Sequence, residues 1–255
     1  MMKKFILPLV FTLLLTGCTS IYVPPVPPLK FDPEMKVGLL VNISDNPKHT
    51  HIGTTIFNND FKGYDHDWQM RAVVTDLFKR EIEAATSFTV VELDNPSAAA
   101  NFVGIADKQW YLNPSAEAAR QALLAQGIGV VITITEVPTL AMLNCSQYGC
   151  TEFYSQGQGL FTRSFFGIDN YHASASYDFT AEILDPGVDL MIFENMRELV
   201  SYDQKNASFS MEDPADFENI TEQEFAVVKM QIERYIASVA QQMSRYLNGE
   251  FEQRG

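Results

Sequence analysis

The sequence is poor in histidine, cysteine, tryptophan and basic residues. Of its 255 residues only four are His, three are Cys and two are Trp. Lys and Arg together number 18 against 32 Asp and Glu, which gives a formal net charge of −14. Because nucleic-acid binding and electrostatic attachment to anionic membranes both need clustered Lys and Arg, this shortage argues against both kinds of partner.

Familiar catalytic motifs are also missing. The sequence contains no nucleophile elbow, phosphate-binding loop, zinc-protease helix motif or calcium-loop spacing, and no internal repeat is evident. The apolar run FILPLVFTLLL at residues 5–15 is too short to span a bilayer as a helix. These absences lower the expectation of a common enzyme class and of a transmembrane helix at this end.

The amino terminus has the layout of an export signal. The positive stretch MMKK precedes the apolar run, and LTGCTS follows it. Leu-Thr-Gly-Cys resembles the lipobox of bacterial lipoproteins. The resemblance implies that residues 1–17 are a signal peptide and that Cys18 is lipidated after cleavage; an ordinary signal peptide with a chance cysteine is the alternative. Removal of Lys3 and Lys4 would change the net charge from −14 to −16.

Residues 18–34 are predicted to form a lipidated tether. Two or more acyl chains give stable membrane anchoring where one does not. Thr19, where an aspartate would favour inner-membrane retention in enteric lipoproteins, suggests the outer membrane, with the protein facing the periplasm. The proline-rich stretch IYVPPVPPLKFDP predicts an extended polyproline-like chain that advances about 3.1 Å per residue.

Cys145 and Cys150 are the remaining cysteines, in NCSQYGC. In an oxidising compartment such a pair predicts a disulfide that closes a small loop. A redox pair is the alternative, but the two cysteines are separated by four residues rather than the two of a Cys-x-x-Cys motif.

Residues 35–249 are predicted to form a single α/β domain, followed by a tail at residues 250–255. Apolar runs predict buried strands at residues 35–43, 88–93 and 129–137. Amphipathic spacing predicts helices at residues 67–85, with Asp67 as N-cap, and at residues 115–127. The order βαβαβ, followed by antiparallel strands and a long C-terminal helix, indicates a mixed sheet with helices mainly on one face.

The C-terminal half adds a hairpin and the long helix. Strict alternation over residues 171–183 predicts one half-solvated antiparallel strand, which a turn at GIDN joins to its partner. Thr221 and Glu224 have the spacing of a capping box, and Gly249 is expected to end the helix. The apolar residues of this helix are expected to face the core.

Several segments together resemble a family of envelope proteins. KVGLLVNI, FTVVEL, ALLAQGIGVVITITEV and YDFTAEILDP are similar to a family that includes the TolB amino-terminal domain, the curli-secretion lipoprotein and the lipoprotein activators of penicillin-binding proteins. The resemblance implies a non-enzymatic domain that docks envelope proteins. The stretch HTHIGTTIFNND departs from that pattern, and no functional residue of the family transfers to this chain.

Histidines and aspartates concentrate in the loop predicted after the first strand. The candidate partner or metal residues are His49, His51, Asp60, Asp65, His66 and Asp67. In an extended segment His49 and His51 point to the same side, and imidazole with carboxylate suits zinc. We nevertheless expect a polar loop surface without a cofactor, because His-x-His is common and no strong ligand spacing is present. A triad of His172 with Ser174 and Asp178 is a weaker hypothesis, because triads converge from separate elements.

Two classes of function therefore remain. The favoured one is a non-catalytic outer-membrane lipoprotein that binds or scaffolds envelope proteins; the alternative is a metal-dependent periplasmic hydrolase that uses His49, His51 and His66. Convergence of the three rings on one point would favour the hydrolase. The oligomeric state stays open.

Overall fold

The fold was examined in a computed structural model. It describes residues 31–93, 114–147, 149–165, 168–184, 188–189, 207–208, 214 and 216–250. The signal peptide, Cys18, most of the tether and the tail at residues 251–255 lie outside the described residues. In the described part, no helix is both long enough and apolar enough to cross a membrane.

The first sheet has five strands and mixed direction. The strands are β1 (Lys36–Asn42), β4 (Thr89–Glu92), β5 (Ile128–Glu136), β10 (Tyr177–Ile183) and β11 (Val188–Asp189). Their order is β11-β10-β5-β1-β4. β5 is parallel to β1, β1 is parallel to β4, and β10 is antiparallel to β5.

The second sheet also has five strands, β2 (Lys48–Ile52), β3 (Asp60–Gly63), β8 (Gln158–Phe165), β9 (Ile168–Ala175) and β12 (Ala207–Ser208). Their order is β12-β9-β8-β2-β3. β2 is parallel to β8, and the other pairs are antiparallel. A separate two-stranded sheet consists of β6 (Thr139–Ser146) and β7 (Gly149–Ser155).

Ser176 separates β9 of the second sheet from β10 of the first. Its amide donates to the Gly157 carbonyl at 2.8 Å, and its carbonyl accepts from the Val137 amide at 3.0 Å. The two sheets are thus joined end to end. This corrects the single strand expected at residues 171–183: Ser174 and Ser176 are buried rather than solvated, because Ser174 contacts Ser155 and Ser176 lies in the joint.

The described residues include three helices, α1 (Met70–Ala85), α2 (Pro114–Ala125) and α3 (Glu222–Leu247). α1 lies on one face of the first sheet, where Val37, Ile132 and Phe179 lie in the main core, and α3 packs against α1 and against β8 and β9 of the second sheet. On the opposite face of the first sheet, Leu123 of α2 packs in a smaller cluster with Leu40. The mixed α/β class is confirmed, and two of the three described helices, α1 and α3, share the main core.

Of the two helix N-caps predicted from the sequence, one forms and the other does not. At α3 the Thr221 hydroxyl accepts from the Glu224 amide and the Glu224 carboxylate accepts from the Thr221 amide, so the predicted capping box forms. At α1 the prediction was wrong. The N-cap is Gln69, in a left-handed conformation, and Asp67 instead accepts from the Gln69 amide at 3.0 Å.

Candidate functional site

His49 and His51 lie on β2, between β8 and β3 in the second sheet, and not in a loop. Thr162 of β8 lies directly opposite His51 in the strand register. Its hydroxyl contacts both imidazole rings. The Thr162 hydroxyl lies 2.7 Å from His49 Nε2 and 2.7 Å from His51 Nδ1. The expectation that the two rings share a side is confirmed. The expectation of a polar loop surface is wrong, because this segment is a strand paired with β3 and β8, in which His49 is buried and His51 is half-buried.

The hydrogen bonds around His49 have one consistent direction. The Tyr64 hydroxyl donates its only proton to the Phe217 carbonyl at 2.5 Å, because a carbonyl can only accept. Its 3.5 Å contact with His49 Nδ1 therefore makes that nitrogen the donor. His49 Nε2 then accepts from Thr162, whose lone pairs accept from His51 Nδ1. Both His49 nitrogens are thus used inside the protein.

Burial and aromatic contacts set the electrostatics of His49. Its side chain is 5% exposed and its ring stacks on Phe217 at 5.2 Å. Burial, followed by the neighbouring His51, lowers the pKa of His49 from 6.5 to about 4. Burial is the main cause, and the charge of Glu218 the second, of the rise in the pKa of Tyr64 to about 12. Near neutral pH this cluster therefore holds a neutral imidazole and a neutral phenol.

His66 is held elsewhere and does not converge on the other two histidines. Its Nε2 lies 2.8 Å from the Ile220 carbonyl, to which it must donate. Its ring is parallel to that of Tyr64, with centroids 6.2 Å apart. The structure thus separates the three rings that the sequence grouped.

The three aspartates are also apart. Asp60 accepts from the Phe61 amide at 2.8 Å, Asp67 from the Gln69 amide, and Asp65 is exposed. Within the described ranges, no three His, Cys, Asp or Glu side chains are grouped as a metal site would require. The geometry thus offers no support for the hydrolase alternative.

The residues of the triad hypothesis fall on different elements. His172 and Ser174 lie on β9, where His172 contacts Phe161 with ring centroids 6.0 Å apart and Ser174 lies 2.5 Å from the Ser155 hydroxyl. Burial lowers the pKa of His172. Asp178 lies beyond the joint, on β10. The alternation in sequence therefore does not produce one polar face.

Sequence reasoning missed a polar cluster at the joint between the sheets. Glu136 accepts from the Ser44 amide at 3.1 Å and from its hydroxyl at 2.6 Å, and it forms an ion pair with Lys48. Burial raises its pKa, but these contacts outweigh burial, so the pKa lies below its ordinary value. Gln158 accepts from the buried Tyr177 hydroxyl at 2.6 Å and donates to the Ser44 carbonyl at 2.6 Å. Every group is engaged internally, which indicates a structural role.

Three exposed large apolar side chains, Leu140, Leu143 and Tyr154, lie on the β6–β7 hairpin. A bulge between Leu140 and Met142 shifts the register, so that Leu140 opposes Tyr154 and Leu143 opposes Glu152. Alternation along β7 places Tyr154 and Glu152 on the same face. We call this the outer face, and its side chains are Leu140, Leu143, Glu152 and Tyr154.

The opposite side of the hairpin, the inner face, includes Met142 and Phe153. Both are half-buried. Arg163 of β8 donates to Met142 Sδ at 2.6 Å and lies 5.9 Å from the Phe153 ring. These two side chains of the inner face therefore pack on Arg163 of the second sheet.

The outer face is open. Leu140 is 44% exposed, Leu143 53% and Tyr154 46%. The Cys145–Cys150 disulfide, predicted from the sequence, joins directly opposed residues beside it and closes the hairpin tip. No residue of this face was named from sequence, because a regular alternation would have placed Leu140 and Leu143 on opposite sides.

Comparison with known proteins gave no match: no protein-family model, no curated protein and no solved structure is significantly similar to this chain.

Proposed function

We propose that this protein is a lipid-anchored, non-catalytic protein of the bacterial envelope that binds other envelope proteins through the outer face of the β6–β7 hairpin. The observation that carries the proposal is the arrangement of Leu140, Leu143 and Tyr154. They lie together on one face of a disulfide-closed hairpin, and Met142 and Phe153 of its opposite face contact Arg163 of β8. Large apolar side chains grouped on an exposed surface are typical of protein contact sites.

The amino-terminal sequence supports the location. LTGC at residues 15–18 gives the lipidation signal, and the proline-rich tether leads from it to Phe31, at the start of the domain. The tether would place the domain in the periplasm beside the outer membrane.

The histidines support a binding protein over a hydrolase. Both ring nitrogens of His49 and the Nε2 of His66 are engaged with protein groups. The Thr162 hydroxyl between the rings is 2% exposed, so a substrate could not reach it without a rearrangement.

The test is a comparison of two double variants in affinity purification from detergent-solubilised envelope. Leu140→Ser with Leu143→Ser changes the outer face. Val227→Ser with Met230→Ser is the matched control, because both side chains are 39% exposed on α3. We expect an exported protein, identified by mass spectrometry, that copurifies with the wild type and the control but not with the outer-face variant. Equal copurification with both variants would contradict the proposal.

A further inference from the structure

The hairpin and Phe31, where the described chain begins, lie at opposite ends of the described domain. β1, β4 and β5 are parallel and begin at the same edge, where Lys36 pairs with Thr89 and with Ile128. The chain enters at this edge, because Phe31 packs against Phe88 with ring centroids 5.7 Å apart. β5 then runs nine residues away from it, about 30 Å at 3.3 Å per residue, before the hairpin begins.

The second sheet extends further in the same direction. β10 is antiparallel to β5 and so runs back toward the entry edge, which makes β9 approach the joint and β8 leave it. Arg163, which the inner face contacts, lies near the far end of β8. A chain anchored through Cys18 would therefore present the outer face away from its own membrane.

The outer face also carries a carboxylate, that of Glu152, whose position is fixed by a hydrogen bond. The Tyr154 hydroxyl donates to Glu152 Oε2 at 2.6 Å, and Leu143 lies directly opposite Glu152. That hydrogen bond raises the pKa of Tyr154. The carboxylate is thus fixed among apolar side chains.

This charge limits what can cover the face. Removal of a carboxylate from water costs free energy unless a cation pairs with it. A lipid bilayer supplies no such partner in its core. A second copy stacked symmetrically on the same face would bring like charges together, and the chain as a whole is acidic.

We propose that the outer face binds a periplasmic protein surface in which an Arg or Lys is surrounded by apolar residues, and that Glu152, oriented by Tyr154, selects it. The inference rests on the proposed function and adds the chemistry of the partner. Arg is the better match, because its planar fork can pair with the carboxylate while its stem covers Leu143.

The test uses the full-length lipidated protein in nanodiscs and three synthetic heptapeptides. The peptides alternate leucine with arginine, leucine with glutamate, and serine with arginine. We expect the leucine–arginine peptide to bind at least about tenfold more tightly than the other two, as measured by calorimetry. Glu152→Gln keeps a hydrogen-bond acceptor for Tyr154 but removes the negative charge. It should lower the affinity for the leucine–arginine peptide about tenfold. Glu34→Gln is the matched control, because Glu34 is exposed near the entry edge, and it should bind as the wild type does.

The outcomes separate this inference from the proposed function. If the leucine–arginine peptide binds equally to the wild type and to Glu152→Gln, charge selection is overturned. Failure of all three peptides to bind overturns it as well. In both cases the copurification experiment still decides whether the outer face binds a protein. Binding to phosphatidylethanolamine–phosphatidylglycerol vesicles that Leu143→Ser abolishes would identify a lipid occupant instead. A dimer in sedimentation that Leu143→Ser dissociates would identify a second copy, and either result overturns the inference.

Discussion

At the scale of single residues, Thr162 is the group on which the buried histidine cluster depends. One hydroxyl satisfies a nitrogen of His49 and a nitrogen of His51, from positions 113 and 111 residues away in sequence. Alternation along an extended segment was enough to predict that the two rings share a side. The acceptor and the burial could not be predicted, because they depend on a strand that pairs only in the folded chain.

Thr162→Val should lower the free energy of unfolding by about 2 kcal/mol, because it leaves His49 Nε2 buried without a hydrogen-bond partner. Thr162→Ser keeps the hydroxyl and should lower the free energy of unfolding clearly less than Thr162→Val does. Urea denaturation of the two variants measures the difference. Equal stability of Thr162→Val and Thr162→Ser would show that the hydrogen bonds contribute little.

His49 should make the protein less stable in acid. Its pKa falls from 6.5 to about 4 on folding, mainly through burial. Between these values the unfolded chain binds a proton that the folded chain does not, so the free energy of unfolding falls as the pH falls from 6.5 to 4. The loss should be on the order of 2–3 kcal/mol at one pKa unit per 1.4 kcal/mol. The nearby charges of His51, Asp60 and Lys62 modify this loss.

His49→Gln removes this titration and should flatten the dependence of stability on pH over that window, as measured by urea denaturation at several pH values. Thr162→Val is the comparison, because it keeps the titrating ring while it lowers stability at every pH. An unchanged slope in His49→Gln would assign the acid sensitivity to other groups.

At the scale of elements, local signals predicted what local contacts determine. The capping box of α3 and its end before Gly249 depend on residues a few positions apart, and both were predicted. Two other features were not predicted: the division of residues 171–183 into β9 and β10 at Ser176, and the common face of Leu140 and Leu143. The first depends on Gly157 and Val137 and the second on a one-residue bulge, neither of which alters the hydrophobic pattern.

The disulfide should stabilise the hairpin more than the domain. A bridge that closes a loop of a few residues removes little entropy from the unfolded chain, and we expect the double variant Cys145→Ser, Cys150→Ser to lose at most about 2 kcal/mol. Hydrogen exchange should rise in β6 and β7 and stay unchanged in β5 and α3. Loss of cooperative unfolding in the variant would mean that the bridge holds the core together.

At the scale of the whole molecule, a chain entry at one end and an open apolar face at the other suit a protein that reaches outward from a membrane. The mixed sheet and the long C-terminal helix follow from the apolar patterns of the sequence, whereas the position of α2 on the opposite face of the first sheet was not predicted. The separation of the hairpin from the chain entry follows from the strand directions, which the sequence alone could not supply.

Membrane attachment should depend on Cys18. Cys18→Ser removes the site of lipidation, and we expect the protein to move from the membrane fraction to the soluble fraction when cells are fractionated. Leu13→Ile, within the apolar run, is the control and should sediment with membranes. Sedimentation of Cys18→Ser with membranes as before would contradict the anchor.

Photocrosslinking in intact cells tests the central claim most directly. A photoreactive phenylalanine analogue replaces Leu143 on the outer face in one strain and Phe153 on the inner face in another. The account predicts an adduct with another envelope protein from position 143 and not from position 153, since the inner face packs on Arg163. The absence of an adduct from position 143, or equal adducts from both positions, would contradict it.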